Sequence, residues 1–124
     1  MAHPRMYDDD DPFLPELRKL CLALPEAVEK ESWGRPTFRA GKIFAIYAGD
    51  KEHPYGVVFK PDDDEKAALV QDSRFYSPPY WGPFGWLALD FSAASVDWTE
   101  VAELVEVSYR QVALKRMLAM LDSR

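Results

Sequence analysis

The sequence predicts an α+β domain, with about five strands between an N-terminal helix and C-terminal helices. Three observations lead there. Asp62 with Glu65, and Asp97 with Glu100, have the spacing of a capping box and open helical patterns. Two apolar runs meet at Ala40-Gly41, which is a hairpin signal. Leu87, Leu89 and Phe91 alternate with Trp86, Ala88 and Asp90, as in a strand with one packed face and one partly wet face.

Taken in chain order, residues 1–12 are expected to form a mobile acidic tail with little to bury, which contains the run Asp8 to Asp11. Residues 13–124 form a single domain. Pro15 suits a first helical turn, where its missing N–H costs nothing, and Leu17, Leu20, Cys21 and Leu24 make one apolar stripe before Pro25 ends the run. After a polar stretch, Pro36–Arg39 and Lys42–Tyr47 read as the paired strands of the hairpin. Ile43 to Tyr47 is apolar on both parities, as expected of an interior strand. Tyr55–Lys60 is the next strand. The carboxylates of Asp62 to Glu65 then fall in the first turn of a short helix, where they meet the positive end of its dipole. Arg74–Tyr76 and Gly85–Phe91 are strands either side of a loop rich in Pro, Gly and aromatic residues. Val101, Leu104, Val105, Ser108 and Val112 trace one helical face. Leu114, Met117, Leu118 and Leu121 trace another, well round the cylinder, so the chain is expected to bend near Ala113 into a separate helix.

Composition narrows the function classes. Hydrophobic residues are 48% and aromatics 14% of 124 residues, enough for one folded core. No run approaches the ~20 apolar residues that span a bilayer. The single cysteine, Cys21, lies on the apolar stripe and reads as a small buried hydrophobe. A soluble cytoplasmic protein is expected, with a monomer favoured and no membrane partner. The formal net charge of −6 repels phosphate backbones on average, although much of the excess sits in the two acidic runs.

Catalysis needs groups that titrate near working pH in reach of a substrate. The two histidines, His3 and His53, lie in the tail and in a polar loop, and no motif joins either to Cys21. Metal-ligand spacings and phosphate-cradling glycine loops are absent. No catalytic residue, metal or cofactor is assigned, and a non-enzymatic domain is expected. A cation held by Asp8–Asp11 is weighed against a solvated charge run, and the solvated run is preferred.

Two residue sets are left as candidates. Trp33, Tyr80, Trp81, Phe84 and Trp86 either stack on bases, line a small-ligand or protein site, or pack together as a loop core. Tyr80 and Trp81, at the loop apex, are the best candidates for exposure. Arg35, Arg39 and Lys42 belong to one hairpin, while Lys115 and Arg116 flank the bend. These cations either touch phosphates or pair with the surplus carboxylates.

The run Trp33-Gly34-Arg35-Pro36-Thr37-Phe38-Arg39, continuing through Gly41-Lys42 to Phe44-Ala45, resembles the MmcQ/YjbR family. So do Pro78-Pro79-Tyr80 with Gly82, Gly85 and Trp86, Ser108-Tyr109 with Lys115-Arg116, and Cys21 to Glu26 at the first helix end. The similarity runs from about Phe13 to Leu121. It implies a CyaY-like fold, an antiparallel sheet with helices packed on it. It also implies a DNA-binding protein with two hairpin wings, in which Arg35, Arg39 and Lys42 would be wing cations. The alternative is a protein- or small-ligand-binding domain using the aromatic loop 78–86.

Overall fold

The structure, a computed structural model, describes residues 5–48 and 50–124; His3, which the sequence assigns to the tail, lies outside them. Helix α1 (Leu14–Leu22) is followed by β1 (Val28–Ser32), β2 (Arg35–Ala40), β3 (Lys42–Ala48) and β4 (Gly56–Phe59). Helix α2 (Asp63–Leu69), β5 (Phe75–Tyr76), a 3₁₀ turn (Gly82–Phe84) and β6 (Leu87–Asp90) come next, then α3 (Trp98–Val112) and α4 (Lys115–Asp122). The strands form one sheet in the order β1-β2-β3-β4-β6-β5, with every neighbouring pair antiparallel.

The sheet has six strands rather than about five, and the addition is β1. Its sequence, Val-Glu-Lys-Glu-Ser, carries no apolar alternation because it is an exposed edge. What orders it is pairing along its whole length with β2 and a tie to α1, where Arg18 donates to both oxygens of Glu29 at 2.6 and 2.9 Å.

Between Phe38 and Arg39 the β2–β3 register slips, so Phe44 and Ala45 together oppose Phe38. This bulge turns Phe44 as well as Ala45 toward the helices, and the two join one core. That core takes Leu17 and Cys21 from α1, Val101, Leu104, Val105 and Tyr109 from α3, and Met117 and Leu121 from α4, against Phe38, Tyr47, Val57, Phe59 and Leu89 of the sheet. Burial pushes the Cys21 thiol up, so it stays protonated and unreactive.

Ser108, Tyr109 and Asp11 in this layer are matched. Ser108, fully buried, donates to the Phe44 carbonyl at 2.6 Å and accepts the Lys60 N–H at 2.9 Å, pinning α3 to two strands. The Tyr109 hydroxyl donates to the Pro25 carbonyl at 2.8 Å. Asp11, which the sequence places in the mobile tail, is instead buried. Its Oδ1 takes the N–H groups of Phe13 and Leu14 at 2.8 and 2.9 Å, and the Tyr47 hydroxyl donates to its carboxylate at 2.6 Å. A charge run thus supplies one core residue, because a carboxylate that starts a helix and takes a phenol can be buried at modest cost. The bend at Ala113 is present: its extended backbone ends α3, and Leu114 leads into α4.

Candidate functional site

The opposite face of the sheet has a smaller core and no α-helix over it. Ile46, Ala48, Val58, Trp86 and Ala88 form that core, with Ile43, Tyr76 and Trp81 packed on its edge. Thr37 pairs with Ile46, so Arg35, Thr37 and Arg39, at alternate positions of β2, point to this side. The cover is supplied by two turns.

The first joins β1 to β2 through Trp33 and Gly34, with φ +56° and +76°. Two left-handed residues between paired Ser32 and Arg35 make a type I′ hairpin turn. Asn is the usual first residue; an aromatic side chain there costs about 1–2 kcal/mol. The second turn lies at Tyr80, φ +66°, where the Trp81 N–H donates back to the Pro79 carbonyl at 2.7 Å. This is a γ-turn of the rare, strained hand. Both left-handed aromatics present their rings to the same cleft.

That cleft, about 490 Å³, is lined by Met6, Trp33, Arg35, Tyr80 and Trp81. Trp33 meets Trp81 edge-on at 5.6 Å, and Trp81 meets Trp86 at 5.4 Å, so the rings run from rim to core. Met6 is tethered there by its N–H, which donates to the Gly34 carbonyl at 2.8 Å. The expectation of two exposed rings at the loop apex holds for Tyr80, 86% exposed, whereas Trp81 is half-buried because it is wedged between Trp33 and Trp86. Trp86 belongs to the core, and Phe84, 75% exposed, lies outside the cleft lining.

A second, smaller cavity of about 60 Å³ adjoins the first, with Arg35, Tyr80 and Trp81 as common wall. Ile46, Val58, Asp50 and Tyr76 also line it. Two polar atoms here are enclosed and find no partner among the described residues, Nε of Arg35 and the hydroxyl of Tyr76. Burial first, then the carboxylates of Asp50 and Asp90, hold the Tyr76 phenol well above its usual range, so it keeps its proton. The Tyr76 ring also stacks on His53 at 3.8 Å. His53 Nδ1 stands 3.8 Å from Asp50 Oδ1, too far for a hydrogen bond, and that oxygen instead accepts the His53 backbone N–H at 2.6 Å.

The five candidate cations are not brought together. Arg35 and Arg39 share the loop-covered face, with Arg39 donating to Thr37 at 3.2 Å and Ser32 at 2.9 Å. Lys42 is exposed at the hairpin tip, where a methyl group on Gly41 would meet Leu114 at 3.7 Å, so the tip adjoins the α3–α4 bend. Lys115 and Arg116 belong to the helical layer, and Arg116 grips Glu26 through two contacts of 3.0 and 3.1 Å. Arg18, Arg74 and Arg110 are likewise committed to carboxylates, and Arg5 to Asp9. Among the described residues Arg35 and Arg39 have no carboxylate partner.

Sequence reasoning did not find Tyr76 or Asp50. Nothing local marks them, since the cavity is assembled from β2, β3, β4, β5, the loop at Asp50 and the 78–81 turn. Among the described residues no group of three or more His, Cys, Asp or Glu could hold a metal ion, and no helix is long and apolar enough to cross a membrane.

The chain belongs to the YjbR family, whose profile matches residues 22–111. It is similar in structure to protein DR2400 of Deinococcus radiodurans, which carries a DUF419 domain, with a TM-score of 0.69 and 20% sequence identity. The match covers 82% of this chain and 79% of that one. At that identity the likeness concerns the fold. No curated protein matches the sequence.

Proposed function

We propose that this YjbR-family domain is a non-enzymatic binding module that holds a small ligand in the cleft between the Trp33-Gly34 turn and the 78–81 turn. One observation carries the reading: Trp33 and Tyr80 both sit in left-handed backbone conformations that aromatic residues avoid, and both rings wall the same cleft. Strain of about 1–3 kcal/mol per site persists where the surroundings enforce it, and it concentrates at ligand clamps. The cleft volume falls in the range of small-molecule sites, which combine apolar walls with few polar groups. A screen of small aromatic compounds by tryptophan fluorescence and thermal shift tests this. Hits are expected to lose affinity in Tyr80→Gly and Trp33→Asn. Hits indifferent to both substitutions would overturn it.

A second reading is DNA binding across the same face, favoured by the guanidinium groups of Arg35 and Arg39, neither of which has a carboxylate partner among the described residues, with Lys42 beyond them at the hairpin tip. Under it, fluorescence anisotropy with a labelled duplex shows affinity that falls steeply with salt. Arg39→Gln weakens that binding, while Arg116→Gln, already engaged by Glu26, leaves it little changed. Salt-indifferent binding, or none at low salt, would remove this reading.

A further inference from the structure

We propose that Arg35 and Tyr76 form an anion anchor at the floor of the cleft, and that the ligand class is a small aromatic or apolar monocarboxylate. The inference rests on the cleft reading above and specifies its ligand.

Arg35 and Tyr76 line one cavity, and Nε of Arg35 and the Tyr76 hydroxyl are shielded and have no hydrogen-bond partner among the described residues. A buried donor left unmatched costs about 1–3 kcal/mol, more when it is charged. Both belong to residues of one cavity wall, while Ser108, Tyr109, Tyr47 and Asp11 on the other face are all satisfied. Both orphan groups can donate, since guanidinium carries only donors and the phenol keeps its proton. Two unmatched donors on the residues of one cavity, one of them cationic, suit an oxyanion.

Charge chooses among oxyanions. A cavity of about 60 Å³ has room for the two oxygens and carbon of a carboxylate. Asp50 lines the same cavity, and its Oδ1 is turned to its own loop by the His53 N–H. Asp90 adds negative potential at Tyr76, although its Oδ1 is held by Ser92 at 2.7 and 2.9 Å. Against that background a single negative charge is tolerated where a phosphate dianion would be repelled. The adjoining cleft, walled by Trp33, Tyr80, Trp81 and Met6, receives the ring or apolar body.

The test titrates phenylacetate, benzyl alcohol, benzylamine and phenyl phosphate into the intact protein at matched ionic strength, following tryptophan fluorescence and melting temperature. Phenylacetate is expected to bind saturably and at least about tenfold more tightly than the other three, as loss of a buried charged contact implies. Arg35→Met and Tyr76→Phe are expected to weaken it about tenfold or more without lowering the melting temperature of the ligand-free protein. If all four probes bind alike and only Tyr80→Gly matters, the cleft stands and the anchor is wrong. A phenyl phosphate preference, or a marked fall in melting temperature in either anchor variant, also overturns the anchor. If no probe binds, the cleft reading itself fails.

Discussion

The two faces of the sheet are built to different standards. On the helical face Phe38, Phe44, Tyr47, Phe59 and Tyr109 are fully buried, and Ser108, Tyr109 and Asp11 meet partners across the core. Among its described residues Glu26 is the one left-handed non-glycine residue and Glu65 Oε1 an unmatched atom. On the loop-covered face a smaller cluster is capped by rings, two backbone positions are strained, and two buried donors are unmatched. Uniform selection for stability would not leave the second face in that state. Proteins keep such costs where a ligand needs them, and relieving them raises stability at the expense of function. The helical face therefore explains why the chain folds, and the loop-covered face is where we propose that it binds a ligand.

Substitutions on the helical face should have the largest effects. Ser108→Ala strips the Lys60 N–H and the Phe44 carbonyl of their shared partner, and is expected to cost about 3 kcal/mol in urea unfolding. Tyr47→Phe leaves the buried Asp11 carboxylate without its phenol donor, and about 2 kcal/mol is expected. If either change proved neutral, the contrast between the faces would lose its stable half.

A pH series sharpens the comparison. The phenols of Tyr47 and Tyr76 are both pushed up, chiefly by burial, so the folded protein keeps those protons longer than the unfolded chain. Their contribution is fully present below about pH 10, the unfolded value, and is lost as pH rises above it. Tyr76→Phe should soften the alkaline decline without lowering stability near neutrality, whereas Tyr47→Phe should lower it throughout. An unchanged alkaline limb in Tyr76→Phe would show that this phenol is not enclosed in solution. The smallest effect is expected at the hairpin turn. Trp33→Asn gives up an edge contact with Trp81 worth about 0.5–1.5 kcal/mol but relieves a left-handed aromatic worth about the same, so stability should stay within about 1 kcal/mol.

What could be read from the sequence follows the range of the interactions. The β2–β3 hairpin, the Asp97 cap of α3 and the break at Ala113 depend on neighbours in the chain, and each is present. Strand β1 depends on a partner strand and on Arg18, so its polar sequence carried no signal. Asp11 looked like part of a solvated run because only the fold brings Tyr47 to it. The aromatic set was legible as residues that shape loops, but not its division into a core ring, a wedged ring and an exposed one. The Arg35–Tyr76 pairing was invisible, since the separation that makes it chemically interesting is closed only by the sheet.

The most direct measurement is the unfolding free energy of the Arg35→Met/Tyr80→Gly double variant against the unsubstituted protein, in urea and without ligand. Each change removes a cost rather than a contact, so stability is predicted to be equal or up to about 1–2 kcal/mol higher. A loss of more than about 1 kcal/mol would mean that the guanidinium and the strained turn hold the fold together. The loop-covered face would then be a second core and not a binding site.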